Sequence, residues 1–285
     1  MTDFHEAGAD VRIPALALLP DGPFMYSGSA LAPFVDQEAL TLAAREQRLP
    51  ILHYWVHRQA LLLGARDEKL PYAHDAIDAL RHAGWSVVVR PFGGLAVPVD
   101  SGVLNVSLIM PEDWTLSDMF VLFSELLADA CRPAGRVRVG EIAGSYCVGR
   151  YDLSIDGVKY AGIAQRRIVG AVVASAFINV FGTALDRIST IRTFYKLAQK
   201  DIISTPDSMW IQRDKVGNLA ELAAKSVAIT DVMEWLQSAI ARRSIPLSWP
   251  KSLNGAVERH LPEASKRLLQ SRNSLDWPAW KRGPS

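Results

Sequence analysis

The residues of this chain with the most chemical potential lie close together. Cys147 sits between Gly144 and Gly149 in the run GSYCVG, and Arg150, Lys159, Arg166 and Arg167 follow within twenty residues. A thiol is a weak nucleophile until it ionises, and neighbouring cations favour the thiolate. Thiolates attack acyl carbons to give thioesters, which amines then resolve. The residues alone leave open a second reading, in which Cys147 is a small buried hydrophobe. The other cysteine, Cys131, falls at the end of a helical pattern and reads as packing.

Lys159 is placed by a hairpin. The runs YDLSI and VKYAGIAQ flank Asp156-Gly157, and both central residues of the favoured two-residue turn need positive φ. Pairing across that turn sets Ile155 opposite Val158, Ser154 opposite Lys159 and Leu153 opposite Tyr160. One face then collects Tyr151, Leu153, Ile155, Val158 and Tyr160 for the core. The other collects Asp152, Ser154, Lys159, Ala161, Ile163 and Gln165, which reads either as a cleft floor or as a solvated outer face. In a straight hairpin Cys147 would lie opposite Arg166, roughly 23 Å from Lys159 at about 3.3 Å per residue. The two meet only if the glycine-flanked loop folds back over the sheet.

Composition narrows the rest. The chain has 285 residues, 49% hydrophobic and 21% charged, with a formal net charge of +1. A packed core is expected, and no global field points to nucleic acid or membrane. Locally, Arg132, Arg136, Arg138, Arg150, Lys159, Arg166 and Arg167 outweigh Glu141, Asp152 and Asp156. That segment is about +4 and reads as ordinary surface charge or as a docking rim for an acidic partner. Two cysteines make no disulfide framework and suit a reducing cytosol. No signal peptide or membrane span is read from the sequence. No phosphate-loop, G-x-S-x-G or H-E-x-x-H pattern occurs. His53 and His57 are four apart, but in a strand they would stand roughly 13 Å apart, so no metal site is expected.

The supporting elements follow from periodicity. Residues 1–33, rich in Gly, Pro and small side chains, read as an N-terminal arm with a short strand at Ala15–Leu19. Phe34–Arg48 has helical spacing with Asp36 as a candidate N-cap. Ile51–Leu63 holds two buried strands, and Pro71–Ala83 is an amphipathic helix. Strands are expected at Trp85–Arg90, Leu95–Val99 and Gly102–Met110, with Gly93 and Gly94 permitting close backbone approach. Asn105 and Ser107 share a face from which both can donate to a bound carbonyl or polar headgroup, or else serve only to cap neighbouring backbone. A helix spans Thr115–Ala130, capped by Thr115 or Ser117, and a short strand Arg136–Ile142. After the hairpin, Ala171–Phe181 completes the sheet. Helices follow at Ala184–Leu197, Asn218–Ala224 and Thr230–Arg243, and a Pro- and Trp-punctuated tail begins at Pro246.

Two long stretches carry a resemblance. GSYCVGRYDLS with KYAGIAQRR, and upstream RPFGGLAVPVDSGVLNVSLI (Arg90 to Ile109), resemble the biotin/lipoate protein ligase superfamily. The nearest likeness is its cysteine-bearing branch, which moves octanoyl or lipoyl groups between carrier proteins without ATP. It runs over Leu42 to Phe181 and continues weakly to Ala241. The resemblance implies an α+β fold: a mixed, largely antiparallel sheet flanked by helices, as in class II synthetases. Residues 34–182 would be the catalytic domain and residues 183–285 a C-terminal helical extension. It implies Cys147 as nucleophile, with Lys159 favouring the thiolate and orienting the acyl carbonyl. Arg90, Gly93, Gly94, Asn105, Ser107, Ala161 and Gly162 would bind substrate, with no cofactor. It also implies octanoylated glycine cleavage H protein as donor, lipoyl domains of 2-oxoacid dehydrogenases as acceptors, and a cytoplasmic setting. A single Arg90, Gly-Gly-Leu in place of three glycines, and Pro98-Val99-Asp100 in place of a His-Asp pair depart from the ATP-dependent ligases. Three other readings remain: an octanoyltransferase served by acyl carrier protein, an ATP-dependent lipoate ligase, and a non-catalytic binding module on the same fold.

Overall fold

Continuous burial along β-branched and apolar strands marks a sheet covered on both faces. The computed structural model describes residues 13, 15–18, 22–111, 114–168, 170–200 and 211–271. Residues 1–12, 14 and 19–21 of the expected N-terminal arm, and the tail beyond residue 271, lie outside the described residues. The strands are β1 (Leu16–Leu18), β2 (Phe24–Tyr26), β3 (Ile51–His57), β4 (Gln59–Leu63), β5 (Ser86–Val89) and β6 (Val97–Asp100). They continue with β7 (Val103–Pro111), β8 (Val137–Val139), β9 (Leu153–Ile155), β10 (Val158–Ile168), β11 (Ala171–Asn179) and β12 (Leu247–Ser248). The helices are α1 (Ala32–Gln47), α2 (Ala73–His82), α3 (Leu116–Ala130), α4 (Ala184–Gln199), α5 (Leu219–Leu222), α6 (Ile229–Arg242) and α7 (Lys251–Ser271).

Among the described residues, nine strands form the main sheet in the order β12-β1-β3-β7-β11-β10-β9-β8, with β2 parallel to the end of β3. The pairs from β3 through β8 are antiparallel, and β1 pairs in parallel with both β3 and β12. The fold is therefore the mixed, largely antiparallel α+β arrangement expected from the resemblance. A second sheet, β5-β4-β6, faces it. One core lies between the two sheets and under α1, α2, α4 and α7; the other lies on the opposite face, under α3 and α6. β11 runs between β7 and β10, so it is central to the sheet and does not close its edge. No described helix is long and apolar enough to cross a membrane.

Local chemistry explains where the elements depart from expectation. α1 begins at Ala32, with Pro33 in its first turn, where a missing N–H costs nothing. Asp36 is therefore inside the helix, and its carboxylate accepts from the Tyr26 hydroxyl instead of capping. Thr115 does cap α3, accepting from Asp118 N–H. α6 starts after Ala228, whose N–H the Asp231 side chain accepts.

The central hairpin turns as expected, with φ of 50° at Asp156 and 77° at Gly157. Its register changes after two pairs, Val158 with Ile155 and Lys159 with Ser154. Lys159 faces Ser154, but Leu153 pairs with Ala161 and not with Tyr160, across a bulge. An extra residue in one strand flips the faces beyond it. Tyr160 and Ala161 both enter the α3-side core, and Gly162 faces the cleft opposite Phe177.

Candidate active site

The Arg90 side chain organises the first wall of the site. Its Nη1 donates to Leu62 O at 2.6 Å, and its Nη2 donates to Gly93 O at 2.9 Å and Leu95 O at 2.8 Å. The loop after β5 thus wraps around a buried guanidinium, whose planar fork suits several carbonyls at once. Gly94 bends the loop with a φ of 95°. A Cβ there would stand 2.7 Å from both Arg90 Nη2 and Cys147 Sγ.

The second wall is the cysteine loop between β8 and β9. It does fold back over the sheet. Gly144 has a φ of 80° and Cys147 a φ of 46°, a left-handed conformation that costs free energy in a non-glycine residue. Tyr146 stacks on Phe177 at 5.5 Å, and its hydroxyl meets Asn179. The Cys147 sulfur accepts from Leu95 N–H at 3.3 Å and lies 3.6 Å from Arg90 Nη2.

Lys159 is placed differently from its expected role. Its ammonium donates to Tyr146 O and Cys147 O, each at 2.8 Å, and to Asp152 at 2.8 Å. An ammonium has three donors, so all are taken. Lys159 and Asp152 are both 1% exposed, and Lys159 does not line the cleft. The lysine therefore fastens the cysteine loop to the sheet through its backbone. Asp152 ties the same loop again, accepting from Gly149 N–H at 3.0 Å. Burial pushes the Asp152 carboxyl above its ordinary range, and the Lys159 charge opposes that rise.

Between these walls lies a cleft of about 490 Å³. That is within the range of small-ligand sites. Phe34, Trp55, Leu62, Phe92 and Val97 give it an apolar interior. Two cross-strand rows make its floor: Trp55, Asn105, Phe177 and Gly162, then Ser107, Ser175 and Ala164. Asn105 Nδ2 is buried without a partner among the described residues. Ser107 shares a hydrogen bond with Ser175 at 2.6 Å.

Of the residues expected at the site, Cys147, Arg90, Gly93, Gly94, Asn105, Ser107 and Gly162 line this one cleft; Lys159 and Ala161 do not. The bulge moves Ala161 behind the sheet. Leu95, Asp152, Ser175 and Phe177 were not singled out by sequence as site residues, although Asp152 lies inside the YDLS motif. The expected basic rim is thinner than its count. Arg166 pairs with Glu38, Arg132 pairs with Asp129, and Arg167 donates to Trp114 O. Arg136, Arg138 and Arg150 are exposed.

Comparison with known proteins places this geometry. Residues 31–241 match the lipoyl protein ligase A/B catalytic domain family. An octanoyl-[GcvH]:protein N-octanoyltransferase of Geobacillus kaustophilus (strain HTA426) is 39% identical over 74% of this chain and 76% of its own length. Its counterpart of the same description in Anoxybacillus flavithermus (strain DSM 21510 / WK1) is 38% identical over 80% of this chain and 84% of its own. A lipoate-protein ligase A solved with ATP shares the fold, with a TM-score of 0.62 at 19% identity over 89% of this chain and 96% of that one. A putative lipoate protein ligase from T. acidophilum, with lipoic acid bound, gives a TM-score of 0.59 at 19% identity over 85% and 94%.

Proposed function

The chain belongs to the lipoyl protein ligase A/B catalytic domain family, and from that membership we propose octanoyl amidotransfer through a thioester on Cys147. The donor is the octanoylated lysine of a glycine cleavage H protein. The acceptors are lysines of lipoyl domains of 2-oxoacid dehydrogenases, in lipoate assembly. One observation carries the reading: the Cys147 sulfur lies against a backbone N–H and a guanidinium beside an apolar cleft of about 490 Å³. That puts two hydrogen-bond donors on the sulfur next to a place for an acyl chain.

The steps balance without another reactant. The Cys147 sulfur attacks the donor amide carbonyl, the S–C bond forms and the C–N bond breaks. The thiol proton leaves with the released lysine amine. The acceptor amine then attacks the thioester, the C–N bond forms and the C–S bond breaks, and the amine proton returns to the departing sulfur to restore the thiol. Leu95 N–H and Arg90 stabilise the sulfur anion when it is attacking and when it is leaving, and Asn105 Nδ2 is a free donor within the cleft. One amide replaces another, so the exchange is close to neutral overall.

Octanoylated H protein, an apo lipoyl domain and the enzyme are mixed without ATP and followed by intact mass. The acceptor should gain one octanoyl group, and the enzyme a hydroxylamine-labile adduct of the same mass. Cys147→Ser should show neither, while Cys131→Ser should show both. Full transfer by Cys147→Ser would overturn the covalent route. Transfer that appears only with ATP would make the chain a ligase.

A further inference from the structure

A hydroxyl on α4 reaches the loop that supplies the hydrogen bond to the cysteine. Ala96 N–H donates to Tyr195 Oη at 3.3 Å, and that hydroxyl donates to Asp67 Oδ1 at 2.8 Å. Asp67 Oδ2 accepts from Gly64 N–H at 2.7 Å. Asp67 and Tyr195 are 1% and 2% exposed, so water does not compete for these groups. Gly64 itself backs the loop, because a Cβ there would come within 1.9 Å of Gly94 O. One residue before Ala96, Leu95 N–H meets the Cys147 sulfur, while Leu95 O is held by Arg90. The loop is thus gripped from inside by the guanidinium and from outside by the Tyr195 hydroxyl.

We infer that Tyr195, anchored on Asp67, is a positioning residue that aims the Leu95 amide at the Cys147 sulfur. Helix α4 then governs the reactivity of a thiol that Tyr195 does not touch. The inference rests on Cys147 being the nucleophile. A hydrogen bond to an anionic acceptor is strong but directional, and it weakens steeply once the donor swings away. The Tyr195 hydroxyl accepts from Ala96 and donates to Asp67, so Tyr195→Phe removes both links and leaves the ring in place.

The test reads the thiol directly. In a Cys131→Ser background, alkylation of Cys147 by iodoacetamide is followed against pH. Tyr195→Phe should move the profile to higher pH and slow alkylation at pH 7 about fivefold, the effect of one ordinary hydrogen bond. In octanoyl transfer kcat should fall by a similar factor, with KM for the octanoylated donor unchanged. Ile191→Val, which trims the buried face of the same helix outside the network, should leave the alkylation profile where it is. If Tyr195→Phe fails to fold, Asp67→Asn takes its place with the same upward shift expected. A profile that superimposes on wild type, or an equal shift in Ile191→Val, overturns the positioning role. A wild type whose Cys147 alkylates normally but never carries an acyl group would overturn the functional reading alone.

Discussion

Lys159 and Asp152 form an ion pair of 2.8 Å in which both side chains are 1% exposed. The pair holds the cysteine loop from two directions: Lys159 takes the carbonyls of residues 146 and 147, and Asp152 takes the amide of residue 149. A lysine expected to work on substrate is in this structure fully occupied by two carbonyls of the cysteine loop and by the Asp152 carboxylate.

Lys159→Met should therefore cost stability as well as activity. Removing one partner of a buried pair typically costs roughly 3–5 kcal/mol, because the other charge is left uncompensated. Denaturant unfolding of Lys159→Met, Asp152→Leu and the double variant is the measurement. The double variant should be more stable than the sum of the singles predicts. A Lys159→Met protein as stable as wild type, but slow in transfer, would return the lysine to a direct role on substrate.

Gly94→Ala should separate sulfur placement from fold. The added Cβ would meet Arg90 Nη2 and Cys147 Sγ at 2.7 Å each, in a backbone conformation that side chains rarely adopt. A displacement near 1 Å at a reacting group costs on the order of a hundredfold in rate. Transfer should fall by about that factor. Gly93→Ala, whose Cβ meets nothing within 4 Å, should lose far less. Equal losses in the two variants would show that the loop, and not the sulfur contact, is being disturbed.

His53 should shape the acid limb of the stability curve. Its ring is buried against Phe24, its nitrogens have no partner among the described residues, and burial lowers its pKa from 6.5 to about 3. Between those values the unfolded chain binds a proton that the folded chain refuses. This contribution is thus fully present above pH 6.5 and is lost as pH falls toward 3. The limiting slope is about 1.4 kcal/mol per pH unit. Measured as the difference between wild type and His53→Leu, stability should fall with that sign across the window. A flat difference would mean that the ring is solvated or paired.

Much of this was legible in residue order. Buried apolar and β-branched runs located the strands from β3 to β7, Asp156-Gly157 located the turn, and Thr115 was one of two candidates for the start of α3. The site was legible to the extent that it is carried by motif: Cys147, Arg90, the glycine pair and Asn105 do share a cleft. What stayed hidden needed a second segment to be seen. The bulge after Lys159 leaves no mark in the run VKYAGIAQ, because Tyr160 and Ala161 are both acceptable core residues, and so Ala161 was assigned to the wrong face. Asp152 reads as a hairpin polar residue until Lys159 is found beside it. Tyr195 lies about a hundred residues from the loop it grips, on a helix whose pattern reports only amphipathicity.

The sheet also dictates an order of assembly. β10 and β11 are adjacent in sequence, with Ile168 paired to Ala171, and can zip locally, whereas β11 finds β7 across some sixty residues, and β1 finds β12 by matching Leu16 with Leu247. Pairings between distant segments impose their loop-closure entropy before they return any contact energy, so such topologies fold slowly. On the ribosome the cysteine hairpin emerges before β11, and β1 waits with one edge open until β12 has been made. The nascent protein thus carries an unpaired strand edge from β1 until residue 248 has been made, the interval in which strand edges recruit wrong partners.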